Sequence, residues 1–352
     1  MVGLVDRMQY GLSQTARMAW YGSHYVLAQR LSGPFTPPGE PAFRPKGKVP
    51  DRAAMLEKLR EAVDREWRNI EEGLYAKPHD MLPRPQKALR DSLAFLRDVP
   101  AVDQRRMARS NAEVFTDDRK GHYPRYYLQN FHYQSGGWLS EDSARIYDTQ
   151  VEVLFSGLAD AMRRQVLVPL REALAGRDQR PLSLLDVATG TGRFLTFVKD
   201  NYPRLPVTAL DLSGAYLNEA RRNLAPWTRT DFVEANAETM PFDDGAHDIV
   251  TCIYLFHELP PKVRRTVAAE IARVVKPGGT FILADSLQYG DEPDWDGILE
   301  AFPVGFHEPY YMGYLSEDLV GLFGENGLTH QWSDKSFLTK MMVFKKSSPA
   351  NA

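Results

Sequence analysis

A loop with two glycines carries the clearest chemical signal in this 352-residue sequence. Residues 184–194 read LLDVATGTGRF, in which an apolar run ends, two glycines follow and a helical pattern begins. Glycines at such a turn let the backbone approach a ligand closely, and a carboxylate at the end of the next strand can accept both hydroxyls of a ribose. Asp211 stands at that position. The spacing therefore predicts a site for a ribose-containing ligand.

The third position of the glycine fingerprint separates two classes of ligand. A dinucleotide site has the pattern G-x-G-x-x-G, in which the pyrophosphate lies against the helix N-terminus. This chain has Leu195 where the third glycine would stand, and Asp186 just before the loop. A carboxylate there suits an ammonium group better than a pyrophosphate. The loop therefore favours a ligand with a ribose and an ammonium group over a nicotinamide dinucleotide.

Alternating strand and helix patterns after Pro181 position these residues. Apolar runs at 182–187, 207–212, 232–235, 248–255 and 280–284 alternate with helical patterns at 193–201, 214–224 and 261–275, and a helix over 316–326 precedes a hairpin of 328–333 and 337–345. Continuous apolar strands separated by helices are typical of a parallel sheet covered on both faces. We predict an α/β fold with a doubly wound, seven-stranded, mostly parallel Rossmann-like sheet.

The N-terminal part has a different pattern, which predicts a helical accessory region over 1–140 and an α/β domain over 141–352. Prolines make 33–50 a linker or an extended wrap. Helices are expected at 51–74, 86–98 and 101–110, and a long helical pattern with one break runs from Ser140 to about 174. The aromatic segment 123–138 between them is either a lid over the pocket or the core that joins the two regions.

Five motifs in order make this sequence similar to the class I S-adenosylmethionine-dependent methyltransferases, and within them to the ubiquinone/menaquinone-biosynthesis branch. The motifs are the DVATGTG loop, the acidic strand end Ala209–Leu212, the segment Asn236–Phe242, Asp248–Val250 leading to Phe256–Leu259, and the VKPGG turn at Val275–Gly279. The resemblance covers about residues 140–290, and the long N-terminal region departs from it. It implies S-adenosylmethionine as the cofactor.

The resemblance also implies a set of cofactor contacts. Asp211 would hold the ribose hydroxyls, Leu212 would pack on the adenine and Asp186 would lie near the amino group. Gly190 and Gly192 would line the methionine part of the cofactor. The other implied cofactor-binding residues are Ala188, Asn236, Ala237, Ile253, Tyr254 and Tyr147. Asn236 stands where the family commonly has an aspartate, although an Asn side chain can both donate to and accept from the adenine edge.

Two residues just past the fourth strand are candidates for catalysis. Methyl transfer from a sulfonium is an in-line displacement, so the enzyme mainly aligns the acceptor and excludes water. A general base is needed only if the acceptor loses a proton as it attacks. His257 could be that base with Glu258 orienting it. Alternatively, His257 packs on the cofactor or caps the next helix.

A second group of residues could form the walls of the acceptor site. The loop 286–312 is longer than a connection requires, which often indicates function. The candidate substrate-binding residues are His132, Asp285, His307, Tyr310 and Tyr311. The alternative is that most of these side chains belong to the core between the helical region and the sheet.

Composition restricts the partners. The chain carries 43 Lys and Arg against 46 Asp and Glu, a net charge of −3, which argues against binding to nucleic acid. The single Cys252 excludes a disulfide framework and a thiolate zinc cage, so we expect a cytoplasmic protein. No His, Cys or carboxylate cluster has metal spacing, and no metal site is predicted.

The segment 1–32 could rest on a membrane surface as a peripheral helix, or dock on its own protein or on a second subunit. The oligomeric state stays open.

The function predicted from the sequence is S-adenosylmethionine-dependent methyl transfer to a small molecule, aromatic or apolar and similar to a quinone precursor. Two alternatives stay open: methylation of a protein or tRNA, and a non-catalytic cofactor-binding subunit. Deletion of residues 1–32 is expected to change membrane or partner association only.

Overall fold

A computed structural model describes residues 3–82 and 85–348 of the chain. Its helices are α1 (Leu4–Leu31), α2 (Arg52–Glu71), α3 (Pro85–Ala108), α4 (Glu141–Leu154), α5 (Ala159–Arg164), α6 (Leu167–Leu174), α7 (Arg193–Asn201), α8 (Gly214–Leu224), α9 (Pro261–Val274), α10 (Asp296–Gly305), α11 (Tyr311–Tyr314) and α12 (Leu319–Gly324). Its strands are β1 (Leu184–Val187), β2 (Val207–Asp211), β3 (Thr230–Glu234), β4 (His247–Ile253), β5 (Val275–Ser286), β6 (Leu328–Ser336) and β7 (Thr339–Lys346).

The seven strands form one sheet in the order β3-β2-β1-β4-β5-β7-β6. Strands β1 to β5 pair in parallel, whereas β7 runs antiparallel to both β5 and β6. Helices cover both faces, so β1 is buried at every position, and this is why its sequence is continuously apolar apart from Asp186. The predicted doubly wound, mostly parallel α/β fold with a terminal hairpin is confirmed.

The strand order places the ligand site. Because β1 lies between β2 and β4, the chain leaves β1 toward one neighbour and later returns on the other side. In open α/β sheets a crevice forms at the carboxyl ends of the strands where the order reverses in this way. The glycine loop follows β1 and Asp211 ends β2, so both lie at this crevice.

The N-terminal helices share a core with the sheet domain. Tyr10 of α1 and Trp67 and Ile70 of α2 pack in the same buried cluster as Leu170 and Phe197. The boundary placed at residue 140 therefore stays a prediction, because no gap in the packing marks it. Residues 1 and 2 of the segment 1–32, and residues 349–352 of the α/β domain, lie outside the described residues.

Three local expectations are corrected by the structure. One continuous helix, α3, replaces the two helices expected at 86–98 and 101–110, with Pro100 inside it. Its buried Phe95 and Val99 pack on α1 and α4, and this packing outweighs the lost backbone hydrogen bond at the proline. The helix predicted from Ser140 to about residue 174 is broken at two places rather than one, between α4 and α5 and between α5 and α6.

The third correction concerns the region after β5. Asp285 belongs to β5 itself and not to the loop that follows it. The stretch 286–312, expected to be irregular, contains all of α10 and the start of α11.

The proline-rich segment 33–50 holds no helix or strand, and backbone N–H groups of Lys46 and Gly47 donate to the Glu300 carboxylate on α10. Among the described helices, none has the length and apolar character needed to cross a bilayer.

Candidate cofactor and acceptor site

The glycine loop turns sharply after β1. Ala188 and Gly190 both adopt left-handed backbone conformations, with φ of 57° at each residue. A Cβ added to Gly190 would meet no atom closer than the Tyr216 ring at 4.0 Å, so this glycine faces open space. Its N–H donates to Oδ2 of Asp211 over 2.8 Å. The backbone at Gly190 is therefore free for a ligand and is held in place by the carboxylate at the end of β2.

Gly192 has a different structural role. A Cβ at this position would lie 3.0 Å from Ala220 and 3.0 Å from Leu224, both on α8. The glycine therefore permits α7 and α8 to approach each other closely, and it is not among the residues that line the crevice. Its implied contact with the methionine part of the cofactor stays a prediction.

The two acidic residues predicted to bind the cofactor occupy different depths. Asp211 lines the crevice, and its Oδ1 accepts from the N–H of Ser213 over 2.8 Å. Asp186 lies behind the crevice wall and accepts from Thr189 at 2.7 Å and Thr251 at 2.6 Å. Burial raises the pKa of each carboxyl to about 6, although these hydrogen bonds act in the opposite direction. The Asp211 carboxylate is thus the acidic group in direct reach of a ligand.

Nine of the eleven predicted cofactor residues line one cavity, which we call the cofactor cavity. They are Tyr147, Ala188, Gly190, Asp211, Leu212, Asn236, Ala237, Ile253 and Tyr254. Most of the lining residues are apolar or aromatic, and Asp211 and the backbone at Gly190 are among the polar groups. Apolar walls with a few converging polar groups are typical of cofactor sites. The donor set therefore fits an adenosine carrying an amino-acid tail.

An aromatic wall closes the cofactor cavity on the side of the N-terminal region. Phe131 and Trp138 stack with ring centroids 4.2 Å apart, and Tyr126 and Tyr127 line the cavity beside them. The cavity measures about 120 Å³, whereas pockets for ligands of drug size hold at least about 300 Å³. A ligand as large as the cofactor therefore needs more room than this arrangement gives, and the lid and core interpretations of the aromatic segment both stay predictions.

A second, larger cavity of about 420 Å³ lies next to the first. We call it the apolar cavity, because side chains of α1, α3 and α4 and the ring of Phe306 line most of it. Tyr147 lines both cavities and forms part of the wall between them. The N-terminal helices thus build a compartment that adjoins the cofactor cavity.

A buried chain of ionisable groups forms another part of this wall. Nδ1 of His257 lies 2.5 Å from Asp285, and its Nε2 lies 3.5 Å from Glu258. Nε2 of His132 lies 3.3 Å from Glu258 and also contacts Glu308. Glu258 lines the cofactor cavity and His132 lines the apolar cavity, whereas His257 lines neither. Of the predicted catalytic pair, Glu258 therefore faces the cofactor cavity, and His257 contacts Glu258 without lining either cavity.

The pKa values in this chain shift in opposite directions. Burial alone would lower the pKa of both histidines, but Asp285 holds that of His257 well above its usual range, and Glu308 and Glu258 raise that of His132 to about 10. Burial would raise the pKa of Glu258, yet the two histidines lower it to about 2. Burial and the Glu258 charge raise the pKa of Glu308 to about 7.

The remaining candidate substrate residues lie in the layer behind the two cavities. Asp285 is engaged by His257, and the hydroxyl of Tyr311 lies 2.6 Å from Ser286. His307 and Tyr310 both bond to the side chain of Gln129, at 2.9 Å and 3.2 Å. Of the five predicted residues, His132 alone lines a described cavity. The other four support the wall, as the core interpretation of these side chains expects.

Sequence reasoning missed Glu308 and Tyr216. Glu308 is an isolated acidic residue without a motif, so no local signal identifies it. Tyr216 lines the cofactor cavity from α8, and its hydroxyl bonds to Ser143 at 3.0 Å and Gln134 at 3.1 Å. An aromatic residue one turn into the helix after the acidic strand end was a usable but unspecific signal.

Comparisons with known proteins agree with this geometry. A family model described as a methyltransferase domain matches residues 184–279. The ubiquinone/menaquinone biosynthesis C-methyltransferase UbiE of Methylobacterium nodulans is 33% identical over 162 residues, which are 45% of this chain and 62% of that protein. The demethylmenaquinone methyltransferase of Thermotoga maritima is 28% identical over 175 residues, 50% of this chain and 71% of that protein.

These likenesses are partial. The chain covers 62% and 53% of the length of two UbiE relatives, from Methylobacterium nodulans and Desulfotalea psychrophila. A solved structure described as a putative sarcosine dimethylglycine methyltransferase from Galdieria sulphuraria is 16% identical. The match covers 56% of this chain and 88% of the chain in that structure, with a TM-score of 0.43. The matched family region, 184–279, contains the glycine loop, Asp211 and the strand that precedes His257.

Proposed function

We propose that this protein transfers the methyl group of S-adenosylmethionine to a small apolar molecule held in the apolar cavity, a proposal supported by the methyltransferase-domain match over residues 184–279 and by the relatives named above. The observation that carries this proposal is the position of that cavity. It adjoins the cofactor cavity through Tyr147, and its volume of about 420 Å³ lies within the range of small-molecule pockets.

In this proposal, residues of the cofactor cavity bind the methyl donor and residues of the adjoining apolar cavity bind the acceptor. The bound cofactor supplies an electrophilic methyl group. Asp211 would hold the ribose hydroxyls and the backbone at Gly190 the methionine part, while Leu212 and Ala237 would contact the adenine. Tyr147 lines both cavities, so its ring would lie beside the path along which the acceptor reaches the methyl carbon directly. Alignment of the acceptor and exclusion of water by these apolar walls account for most of the catalysis.

Glu258 and His257 have a positioning role in this proposal. Glu258 contacts the cofactor cavity directly, and its carboxylate is fixed between His132 and His257. His257 is in turn fixed by Asp285. The prediction that His257 acts as a general base stays a prediction, and its place behind Glu258 gives it an effect on the acceptor through Glu258.

An aromatic acceptor of the quinone-precursor type suits the apolar cavity. The named relatives include enzymes of ubiquinone and menaquinone biosynthesis, and an aromatic ring with an apolar tail would be buried by the side chains of α1, α3 and α4. Methylation of a protein or tRNA has less support, because the residues that line the apolar cavity are mostly apolar and suit a small apolar molecule. Charge gives no support to a nucleic acid partner.

The test is turnover with a panel of apolar phenols and hydroquinones and a labelled methyl donor, with products identified by mass spectrometry. Ala28→Phe places a ring in the apolar cavity; overpacking costs about 1–3 kcal/mol, so the acceptor KM is expected to rise about 5- to 150-fold. The control is Ala19→Phe, on the exposed face of the same helix. Cofactor binding without turnover of any acceptor would support the non-catalytic alternative, and equal KM values for the two variants would contradict the placement of the acceptor.

We also propose that α1 contacts a membrane surface from which the acceptor enters. The helix carries large apolar side chains that are more than half exposed: Leu4, Val5, Met8 and Leu12. Its C-terminal end, with Tyr25 and Ala28, lines the apolar cavity. Residues 1–50 carry an excess of basic over acidic side chains, which favours an anionic lipid surface.

Vesicle sedimentation tests this second proposal. The protein is expected to bind vesicles of phosphatidylglycerol and phosphatidylcholine more strongly than phosphatidylcholine alone. The double variant Leu4→Glu/Leu12→Glu should lower the bound fraction at least about tenfold, since each buried leucine contributes about 1.5–3 kcal/mol. Val320→Glu, which removes an exposed apolar side chain on α12, is the control. Equal binding of both variants, or a dimer that buries α1 in place of lipid, would overturn the membrane contact.

A further inference from the structure

The wall between the two cavities contains a compact set of metal-ligand side chains. Nε2 of His132 and one oxygen each of Glu258 and Glu308 all lie within 4.8 Å of one another. Glu258 and Glu308 are buried, and the side chain of Glu308 is 0% exposed. His132 and Glu258 are 126 residues apart in the chain. Because the fold and not the local sequence brings the three together, a search for metal spacing in the sequence could not detect them.

Two carboxylate oxygens in this cluster have no partner. Oε2 of Glu258 and Oε2 of Glu308 are buried and accept no hydrogen bond within residues 3–82 and 85–348. In the same part of the chain, no Lys or Arg forms an ion pair with either carboxylate. A buried carboxylate without compensation costs several kcal/mol. The cationic groups that contact these carboxylates are the imidazoles of His132 and His257, and the two unpartnered oxygens are positions at which a bound metal ion would be coordinated.

A divalent cation closes the charge balance. His257 and Asp285 form an ion pair of their own behind the cluster, so the groups left over are one imidazole and two carboxylates. Binding of the ion would displace the proton of His132, because a ligating imidazole is neutral, and a neutral imidazole, two carboxylates and a doubly charged ion then sum to zero. His257 also contacts Glu258, and an outer partner that fixes a ligating carboxylate is the usual support of a metal site.

We propose that His132, Glu258 and Glu308 bind a divalent first-row transition-metal ion. A mixed imidazole and carboxylate donor set suits Zn²⁺, Fe²⁺ or Mn²⁺, whereas Ca²⁺ and Mg²⁺ prefer oxygen donors alone. Three protein ligands leave at least one coordination position open, which is the arrangement of catalytic rather than structural sites. His132 lines the apolar cavity and Glu258 lines the cofactor cavity, so an ion held by both would lie in the wall between the two cavities. If the proposed function holds, the ion would bind an oxygen atom of the acceptor.

The experiment measures metal binding without any methyl transfer, so its outcome is independent of the proposed function. Untagged full-length protein, stripped with a chelator, is titrated with Zn²⁺ and, for comparison, with Mg²⁺ by calorimetry. We expect one Zn²⁺ per chain, weak or absent Mg²⁺ binding and a higher Tm with Zn²⁺, because an ion that binds only the folded state stabilises it.

Glu308→Gln should lower the Zn²⁺ affinity at least about 100-fold, since a loss of supporting partners alone costs about 10–100-fold, and should abolish the rise in Tm. His79→Asn, which removes an imidazole paired with Asp200 at the surface, is the matched control and should bind as the unsubstituted protein does. If Glu308→Gln does not fold, His132→Gln is titrated in its place. Absence of Zn²⁺ binding, or equal affinity in the cluster variant and the control, would overturn the proposal.

Discussion

Replacement of Asp211 by alanine is expected to weaken binding of S-adenosylmethionine and S-adenosylhomocysteine at least about 100-fold. A hydrogen bond to a charged group contributes about 1.5–3 kcal/mol, and a carboxylate at the end of β2 can accept two from the ribose. Two such bonds exceed the roughly 2.8 kcal/mol that correspond to a 100-fold change. The variant also loses the acceptor for the Gly190 N–H at 2.8 Å, so the glycine loop loosens at the same time.

Calorimetric titration with both sulfur ligands, in parallel with NADH, measures this effect. Glu234→Ala is the matched control, because Glu234 ends the neighbouring strand in register with Asp211 but is exposed. The control should bind both ligands as the unsubstituted protein does. Unchanged affinity in Asp211→Ala would refute the ribose contact, and tight binding of NADH would mean that Leu195 does not discriminate against dinucleotides as inferred.

Replacement of Arg17 by alanine is expected to lower the free energy of unfolding by about 3–5 kcal/mol, the usual cost of breaking a buried ion pair. The Arg17 side chain is 6% exposed and lies 2.7 Å from both Glu152 and Asp160. Burial raises the pKa of Glu152, so this carboxyl depends on Arg17 for compensation. Arg17 also donates to the backbone carbonyls of Gly157 and Met81. The arginine therefore fixes α1 to the domain.

Urea unfolding of Arg17→Ala beside Arg7→Ala measures the difference. Arg7 is exposed on the same helix, and a surface substitution changes stability by no more than about 0.5 kcal/mol. Equal midpoints for the two variants would show that α1 is only attached to the surface. Because Tyr10 and Arg17 are buried, we now expect deletion of residues 1–32 to destabilise the protein and not merely to change its association, contrary to the expectation from sequence.

The sequence by itself determined the fold class and nine of the residues that line the cofactor cavity. The reason is that both depend on short-range order: continuous apolar runs that are buried on two faces, two glycines at a strand end, and a carboxylate at the next strand end. The bounds of α7 and α8 agree with the sequence patterns at 193–201 and 214–224. Prediction from local sequence also failed at Pro100. The proline favoured two separate helices, whereas α3 continues through it because tertiary packing supports the helix.

Only the tertiary structure decided which residues line the apolar cavity. The apolar cavity takes its walls from α1, α3, α4 and the segment after β5, which are distant in sequence and carry no shared motif. His132, Glu258 and Glu308 meet for the same reason, and the fold places His257 behind Glu258 and not at the cavity. The amino-acid type at a position determines which chemistry its side chain can perform. The distance between side chains far apart in the chain follows from how helices pack on the sheet, and no local pattern records that distance.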